Sequence, residues 1–314
     1  MSHLDLATAR IVSAPAAALD HTRAPRDASL ARVWRFTALA FGITWLIWWT
    51  AALAARGLIV VPAPLGLLSI LGGVGPSLAA VVLTAREAGG PGVRALLGRA
   101  VTWRAHPGWY AVVLLGPFAL HGTAMGLHVL LGGQPPDPAQ LIGSLPGVLV
   151  SLVPVFLLFG PLGEEFGWRG YALPRLQARF GALAASLLVG VAWAAWHTPL
   201  FFDPTSSYAQ LPPMVFVARM VGLAVLFTWL VNRTGGSLLF PLLAHTVINA
   251  SGQIWAAVPD PGTDAYQEQL LTAAVWAAAL LVIAIGGLDL GQRTAVALDR
   301  VRRTRRPARS LGDA

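Results

Sequence analysis

The chain has 314 residues, of which 56% are hydrophobic and only 11% charged, with a mean hydropathy of +0.65. A soluble domain carries about a quarter charged residues, so a soluble globular fold is excluded. The net charge of +8 comes from 22 arginines with no lysine, and the lack of cysteine excludes disulfides, thiol nucleophiles and cysteine-ligated metal or iron–sulfur centres.

Residues 1–33 are polar and arginine-bearing without a cleavage pattern, and read as a disordered basic cytoplasmic tail rather than a signal peptide. Residues 34–288 read as one all-α, polytopic membrane domain. A bilayer core of about 30 Å takes roughly 20 apolar residues per helix. By that ruler there are eight transmembrane helices, at about 36–55, 65–85, 109–131, 145–162, 181–200, 214–231, 237–258 and 270–287. Residues 289–314 form an arginine-rich cytoplasmic tail in which Arg302, Arg303, Arg305 and Arg306 suit anionic headgroups of the lipid bilayer. Without interleaved aromatics this tail is not read as a nucleic-acid binder. With the N-terminus inside, 20 of the 22 arginines fall in inner segments and only Arg56 lies in an outer loop. The expected protein is therefore a multi-pass protein of the inner (plasma) membrane with both termini cytoplasmic.

Ionisable side chains at membrane depth are costly and mark function by default. The third span carries His121 and His128, two turns apart on one face, which read as packing or interior polarity. The fourth ends in Glu164-Glu165-Phe-Gly-Trp-Arg169, placed by length at the inner end of its helix. Glu165 and Arg169, four apart, suit an i,i+4 pair in the acid-first order. That leaves Glu164 as the carboxylate without a local partner. Gly163, Gly167 and Gly170 surround the pair and allow close approach of backbone or substrate. The run from Tyr171 to Phe180 is amphipathic and suits the inner interface.

The fifth span carries His197 in Trp193-Ala-Ala-Trp-His197-Thr-Pro199, where the proline ends or bends the helix. Arg219, near the outer end of the sixth span, reads as snorkelling to outer headgroups. His245 and Asn249 of the seventh span lie four apart and share one face. One carboxylate, two imidazoles and one carboxamide suit hydrolysis of a peptide bond. The buried carboxylate acts as general base for water, the imidazoles hold a metal or polarise water and carbonyl, and the amide donates to an oxyanion. The spacing is not His-Glu-x-x-His, so a zincin-type site is excluded. No aspartate lies in a span, which argues against an aspartyl site.

Glu164-Glu165-x-x-x-Arg169, Trp193-x-x-x-His197 and His245-x-x-x-Asn249, in that order on successive spans, resemble the CPBP family over about residues 145–252. These are the type II CAAX prenyl endopeptidases and their bacterial relatives, also called the Abi family. The resemblance implies a CAAX-protease-like intramembrane (metallo)endopeptidase acting on a peptide or protein substrate at the membrane, and the expected site opens to the cytoplasmic side. It implies that Glu164 activates a water, that His197 assists it, and that His245 and Asn249 bind a metal or stabilise the oxyanion. Glu165 and Arg169 support them. A divalent ion such as zinc would take Glu164, His197 and His245 as ligands. The family usually has phenylalanine where Trp193 stands, so that position reads as packing.

On straight helices His197 lies roughly 24 Å from the inner end of its span, far from Glu164. To bring them together, residues 163–180 have to dip back into the membrane, or the fifth span has to begin outside it. The rival reading is a non-catalytic membrane protein for bacteriocin immunity or partner scaffolding. A proton-relay transporter is a third, without the inverted pair of broken helices such folds use.

Overall fold

The computed structural model describes residues 26–292, with side chains from Ser29 onward, so that residues 1–25 and 293–314 of the two expected tails lie outside the described residues. Eleven α-helices follow one another among the described residues. They are α1 (Arg26–Ala55), α2 (Leu65–Gly72), α3 (Gly75–Gly98), α4 (Gly108–Leu130), α5 (Pro138–Leu158) and α6 (Pro161–Glu165). After these come α7 (Leu173–Phe180), α8 (Ala182–Trp196), α9 (Pro213–Arg233), α10 (Leu239–Ser251) and α11 (Asp264–Gly286). The protein is an all-α, polytopic membrane protein. Six helices or helix runs are long and apolar enough to cross a bilayer, and α2 with α3, bent by 43°, makes a seventh.

The seventh expected span, 237–258, differs in kind. α10 has 13 residues, about 20 Å, and cannot cross a hydrocarbon core as a helix. It is buried on most sides and packs against α4, α5 and α9. A 3-10 turn (Gly252–Ala257) carries the chain on, so α10 crosses the bundle inside protein rather than lipid.

Local sequence explains the helix starts. Asp137 caps α5 by accepting from the Ala139 backbone N–H at 2.8 Å, with Pro138 at the first helical position. Thr263 caps α11 by accepting from Tyr266 N–H at 3.2 Å. α1 begins at Arg26, before the expected domain edge at 34, and two side chains ahead of that edge reach other elements. Ser29 donates to the Arg175 carbonyl at 3.1 Å, and Arg32 lies 3.9 Å from Glu87.

The expected inner and outer segments collect at opposite ends. At one end Arg175 pairs with Glu87 at 2.8 Å, and Arg99 donates to the carbonyls of Gly236 and Gly170 at 2.7 and 2.9 Å. At the other end Arg56 donates to the Phe202 carbonyl at 2.7 Å and the Asp137 N–H to that of Ala257 at 2.7 Å. The core between them is aromatic. Trp168, Trp193, Trp196, Tyr171 and Phe36 are fully buried, with Trp48 and Trp196 ring centroids 4.5 Å apart. α5 is the contrast: Val148 is its one buried residue, and Leu149 and Val150 are 66% and 77% exposed, as suits a lipid-facing helix.

One break positions everything else. Between α5 and α6 the backbone turns at Gly160, whose φ of +112° excludes side chains. The chain then continues as α6, a π-helical segment (Phe166–Ala172) and α7. Residues 138–180 thus form one broken span of 43 residues, in which the Glu164–Glu165 pair lies mid-way rather than at an inner helix end. Within the Tyr171–Phe180 run, Tyr171, Leu173, Arg175, Leu176 and Gln177 are buried, and α7 packs on α8 and α1. Gly163 and Gly167 allow the broken span to touch the α2–α3 bend. A β-carbon on Gly163 would collide with the Gly73 carbonyl, and one on Gly167 would stand 2.6 Å from Pro76.

Candidate active site

Glu164 and Glu165 are both buried, 4% and 0% exposed, and their environments differ. Glu165 Oε1 accepts from Arg169 Nη1 at 3.1 Å and from His245 Nδ1 at 2.8 Å. The i,i+4 pair is therefore as expected, and its third member comes from α10, 80 positions away. The Arg169 guanidinium is wholly buried and covered by the rings of Trp193 and Phe227, 4.0 and 4.7 Å from its carbon. Arrangement over aromatic faces suits a desolvated guanidinium better than an ammonium.

Glu164 makes no ion pair among the described residues, and its Oε2 accepts from the Trp193 indole N–H. Trp193 is thus not packing alone: it holds the carboxylate in one orientation. The other oxygen, Oε1, faces Gly160. A β-carbon on Gly160 would stand 2.8 Å from Glu164 Oε1 and 3.3 Å from His245 Nε2. The space over this glycine is where carboxylate and imidazole converge, and it is open only because no side chain fills it.

Both histidines have one nitrogen fixed. His197 Nδ1 donates to the Trp193 carbonyl at 2.8 Å, carbonyl oxygen being an acceptor only. His245 Nδ1 lies against the Glu165 carboxylate. In each neutral ring the Nε2 is then left as an acceptor. Asn249 sits one turn beyond His245 and donates through Nδ2 to the Phe159 carbonyl at 3.2 Å, satisfying a carbonyl that the Gly160 break strands. The second amide hydrogen is spare.

Glu164, Trp193, His197, His245 and Asn249 all line one cavity of about 630 Å³. Its other walls come from α2, α4, α9, α11 and the loop from Asp203 to Leu211, at the end where Arg56 lies. No residue of the arginine-rich end lines it, so the expected opening to that side is not what the structure has. Arg219 also differs from expectation. It turns inward to pair with Glu268 of α11, and both line the cavity. A snorkelling arginine needs no acid; here a buried one on α11 captures it. His121 accepts at Nδ1 from Trp255 Nε1 at 3.2 Å and His128 Nδ1 lies 3.2 Å from the Tyr266 hydroxyl, consistent with interior polarity.

Two imidazoles with free Nε2 atoms and one carboxylate suit a metal by their chemistry. Among the described residues, however, no three His, Cys, Asp or Glu side chains stand close enough together to hold an ion. Glu164, His197 and His245 share a cavity without forming a coordination shell.

Replacing Gly160 by alanine should lower any turnover at this site about 10²-fold, because the β-carbon displaces the reacting oxygen by an ångström or so. Initial rates measured beside a Gly181→Ala control, also at positive φ but open on every side, check this.

Residues 146–251 match the sequence pattern described as type II CAAX prenyl endopeptidase Rce1-like. The segment holds every expected site residue. The chain is also similar to the CAAX prenyl protease 2 of Methanococcus maripaludis, 30% identical over 118 residues. That alignment covers 35% of this chain, and the chain spans less than half of the relative, 44% of its length.

Proposed function

We propose that this protein is an intramembrane endopeptidase, in which Glu164 activates water against a peptide carbonyl. The observation that carries the reading is the convergence of Glu164 Oε1 and His245 Nε2 over Gly160, inside the cavity and within the segment similar to CAAX prenyl endopeptidases. Water in that space loses a proton to Glu164 Oε1 as its oxygen bonds to the carbonyl carbon. His245 accepts the water's one remaining hydrogen through Nε2, and His197 assists from the wall of the same cavity. The spare Asn249 N–H stabilises the oxyanion. Collapse of the tetrahedral centre breaks the C–N bond, and the proton on Glu164 passes to the leaving amine. Glu165 and Arg169 orient His245 and never meet substrate. These side chains supply a base, hydrogen-bond acceptors and an oxyanion donor for each of these steps.

The arginine-rich end faces the cytoplasm by the positive-inside rule, so the cavity occupies the opposite half of the membrane. The test compares membrane-peptide cleavage profiles of cells carrying wild-type and Glu164→Gln protein. Peptides cut only with the wild type support the reading, and identical profiles overturn it in favour of a binding or scaffolding role. Two further outcomes are expected of the purified protein. Asn249→Ala should cost on the order of 10²-fold in kcat, as for one lost oxyanion donor. A strong chelator should leave turnover unchanged. Loss that zinc restores would show a ligand shell formed from His197, His245 and Glu164 after rearrangement.

A further inference from the structure

His197 is tied at one nitrogen. Its Nδ1 donates to the Trp193 carbonyl at 2.8 Å, one turn back on α8, which leaves Nε2 as the nitrogen it can offer to the cavity it lines. A hydrogen bond weakens steeply only when its angle falls below about 120°, and the χ2 torsion of histidine is broad. That one bond therefore lets the imidazole swing about Cβ–Cγ and carry Nε2 off its line. A second contact has to fix the plane of the ring.

Among the described residues, five aromatic rings have centroids within 6.3 Å of the imidazole. Trp48, Trp193, Trp196 and Phe216, all on helices, meet it at interplanar angles of 37°, 56°, 83° and 71°. Tyr208 comes from the loop between α8 and α9 and lies nearest to parallel, at 25° with centroids 5.5 Å apart. That is the offset-stacked arrangement, in which one ring sets the plane of the other.

Local sequence delivers Tyr208 to this place. In Asp203-Pro-Thr-Ser-Ser-Tyr208 the buried Asp203 accepts at Oδ1 from the Thr205 N–H and hydroxyl at 2.9 and 2.7 Å. The Asp203 carbonyl accepts from the Ser206 N–H at 3.0 Å. Ser206 Oγ then accepts from the Tyr208 N–H at 3.2 Å and caps the 3-10 turn Ser207–Gln210. Thr205, Ser207 and Gln210 are exposed, whereas Tyr208 is half-buried and packs on Phe201 and Phe216 as well, at 5.9 and 5.4 Å. Its backbone N–H and carbonyl are bonded, and its hydroxyl makes no hydrogen bond among the described residues. The ring is the part engaged.

We propose that Tyr208 is a positioning residue: stacked on the imidazole of His197, it fixes the plane in which Nε2 is offered to the cavity. Its effect on turnover rests on the endopeptidase reading; its effect on the ring does not.

The test is nitrogen NMR of histidine-labelled, full-length protein in nanodiscs, with the His197 signals assigned by their loss in His197→Gln. Wild type and Tyr208→Phe, which keeps the ring, should give one narrow Nε2 signal. Tyr208→Leu should broaden it, as the imidazole samples more than one plane. Turnover of a peptide cut in wild-type cells should fall about tenfold in kcat for Tyr208→Leu, the scale of one aromatic pair, with KM unchanged. Tyr208→Phe should keep the wild-type kcat. An unchanged His197 signal in Tyr208→Leu overturns the proposal. So does a loss in Tyr208→Phe equal to that in Tyr208→Leu, because the hydroxyl would then be acting. A rise in KM at constant kcat overturns it too, because Tyr208 would then be holding substrate. Should Tyr208→Leu fail to fold, Ser206→Ala decides: it removes the hydroxyl that caps the turn, and its His197 signal broadens as well or the proposal falls. Broadening in a protein whose wild type cleaves nothing would sink the peptidase reading and spare the stack. Cleavage with an unchanged signal would do the reverse.

Discussion

Glu164→Gln protein should fold and bind peptide yet show no turnover above background. Glutamine keeps the shape, and its amide oxygen can still accept from the Trp193 indole that holds the wild-type carboxylate. What it lacks is basicity. A positioned general base contributes about 10² to 10⁴ in rate, and here no second carboxylate stands ready, since Glu165 is committed to Arg169 and His245. Mass-spectrometric cleavage rates in proteoliposomes, with melting curves of both proteins, check this. An active Glu164→Gln beside an inactive, folded Glu165→Gln would transfer the role of base to Glu165.

Removing the guanidinium of Arg169 should be the most destabilising single change in the bundle. Arg169 and Glu165 are both 0% exposed, so the arginine's loss leaves a carboxylate buried without a counter-charge. Breaking a buried pair in this way costs about 3–5 kcal/mol. Arg169→Leu also surrenders the stacking on Trp193 and Phe227. The double variant Glu165→Gln/Arg169→Leu should recover more than half of that loss, because no uncompensated charge remains. A charge swap, Glu165→Arg with Arg169→Glu, should not recover it, because a guanidinium would then face His245 Nδ1 in place of its acceptor. Detergent-resistant fraction against temperature measures all three. Melting of Arg169→Leu at the wild-type temperature would show the pair to be dispensable for the fold.

Some of this was legible from the chain itself. Apolar stretches of bilayer length located seven crossings, because in hydrocarbon every backbone group needs an internal partner and only a helix supplies it. Arginine asymmetry sorted the loops to their two ends. The i,i+4 spacing of Glu165 and Arg169, and that of His245 and Asn249, told which side chains share a face, since helix geometry is local. A signal for the break at Gly160 was also present in Gly160-Pro161, a pair that punctuates helices, although the apolar run 145–162 masked it.

The rest depends on what the folded chain brings together. Glu165 and His245 are 80 positions apart, and no local pattern couples them. Trp193 resembled a packing residue because an indole shows its hydrogen-bond role only when a carboxylate is set against it. Arg219 resembled a snorkelling arginine for the same reason: its acid lies on α11, 49 positions on. The course of the chain at Glu164 was the largest open point, and one positive-φ glycine breaks the 43-residue segment into two pieces there. Length and periodicity report how far a helix runs. Where two helices meet, and which buried charge answers another, is decided by packing across the bundle, where an ion or polar group removed from water has to find its partner on another element.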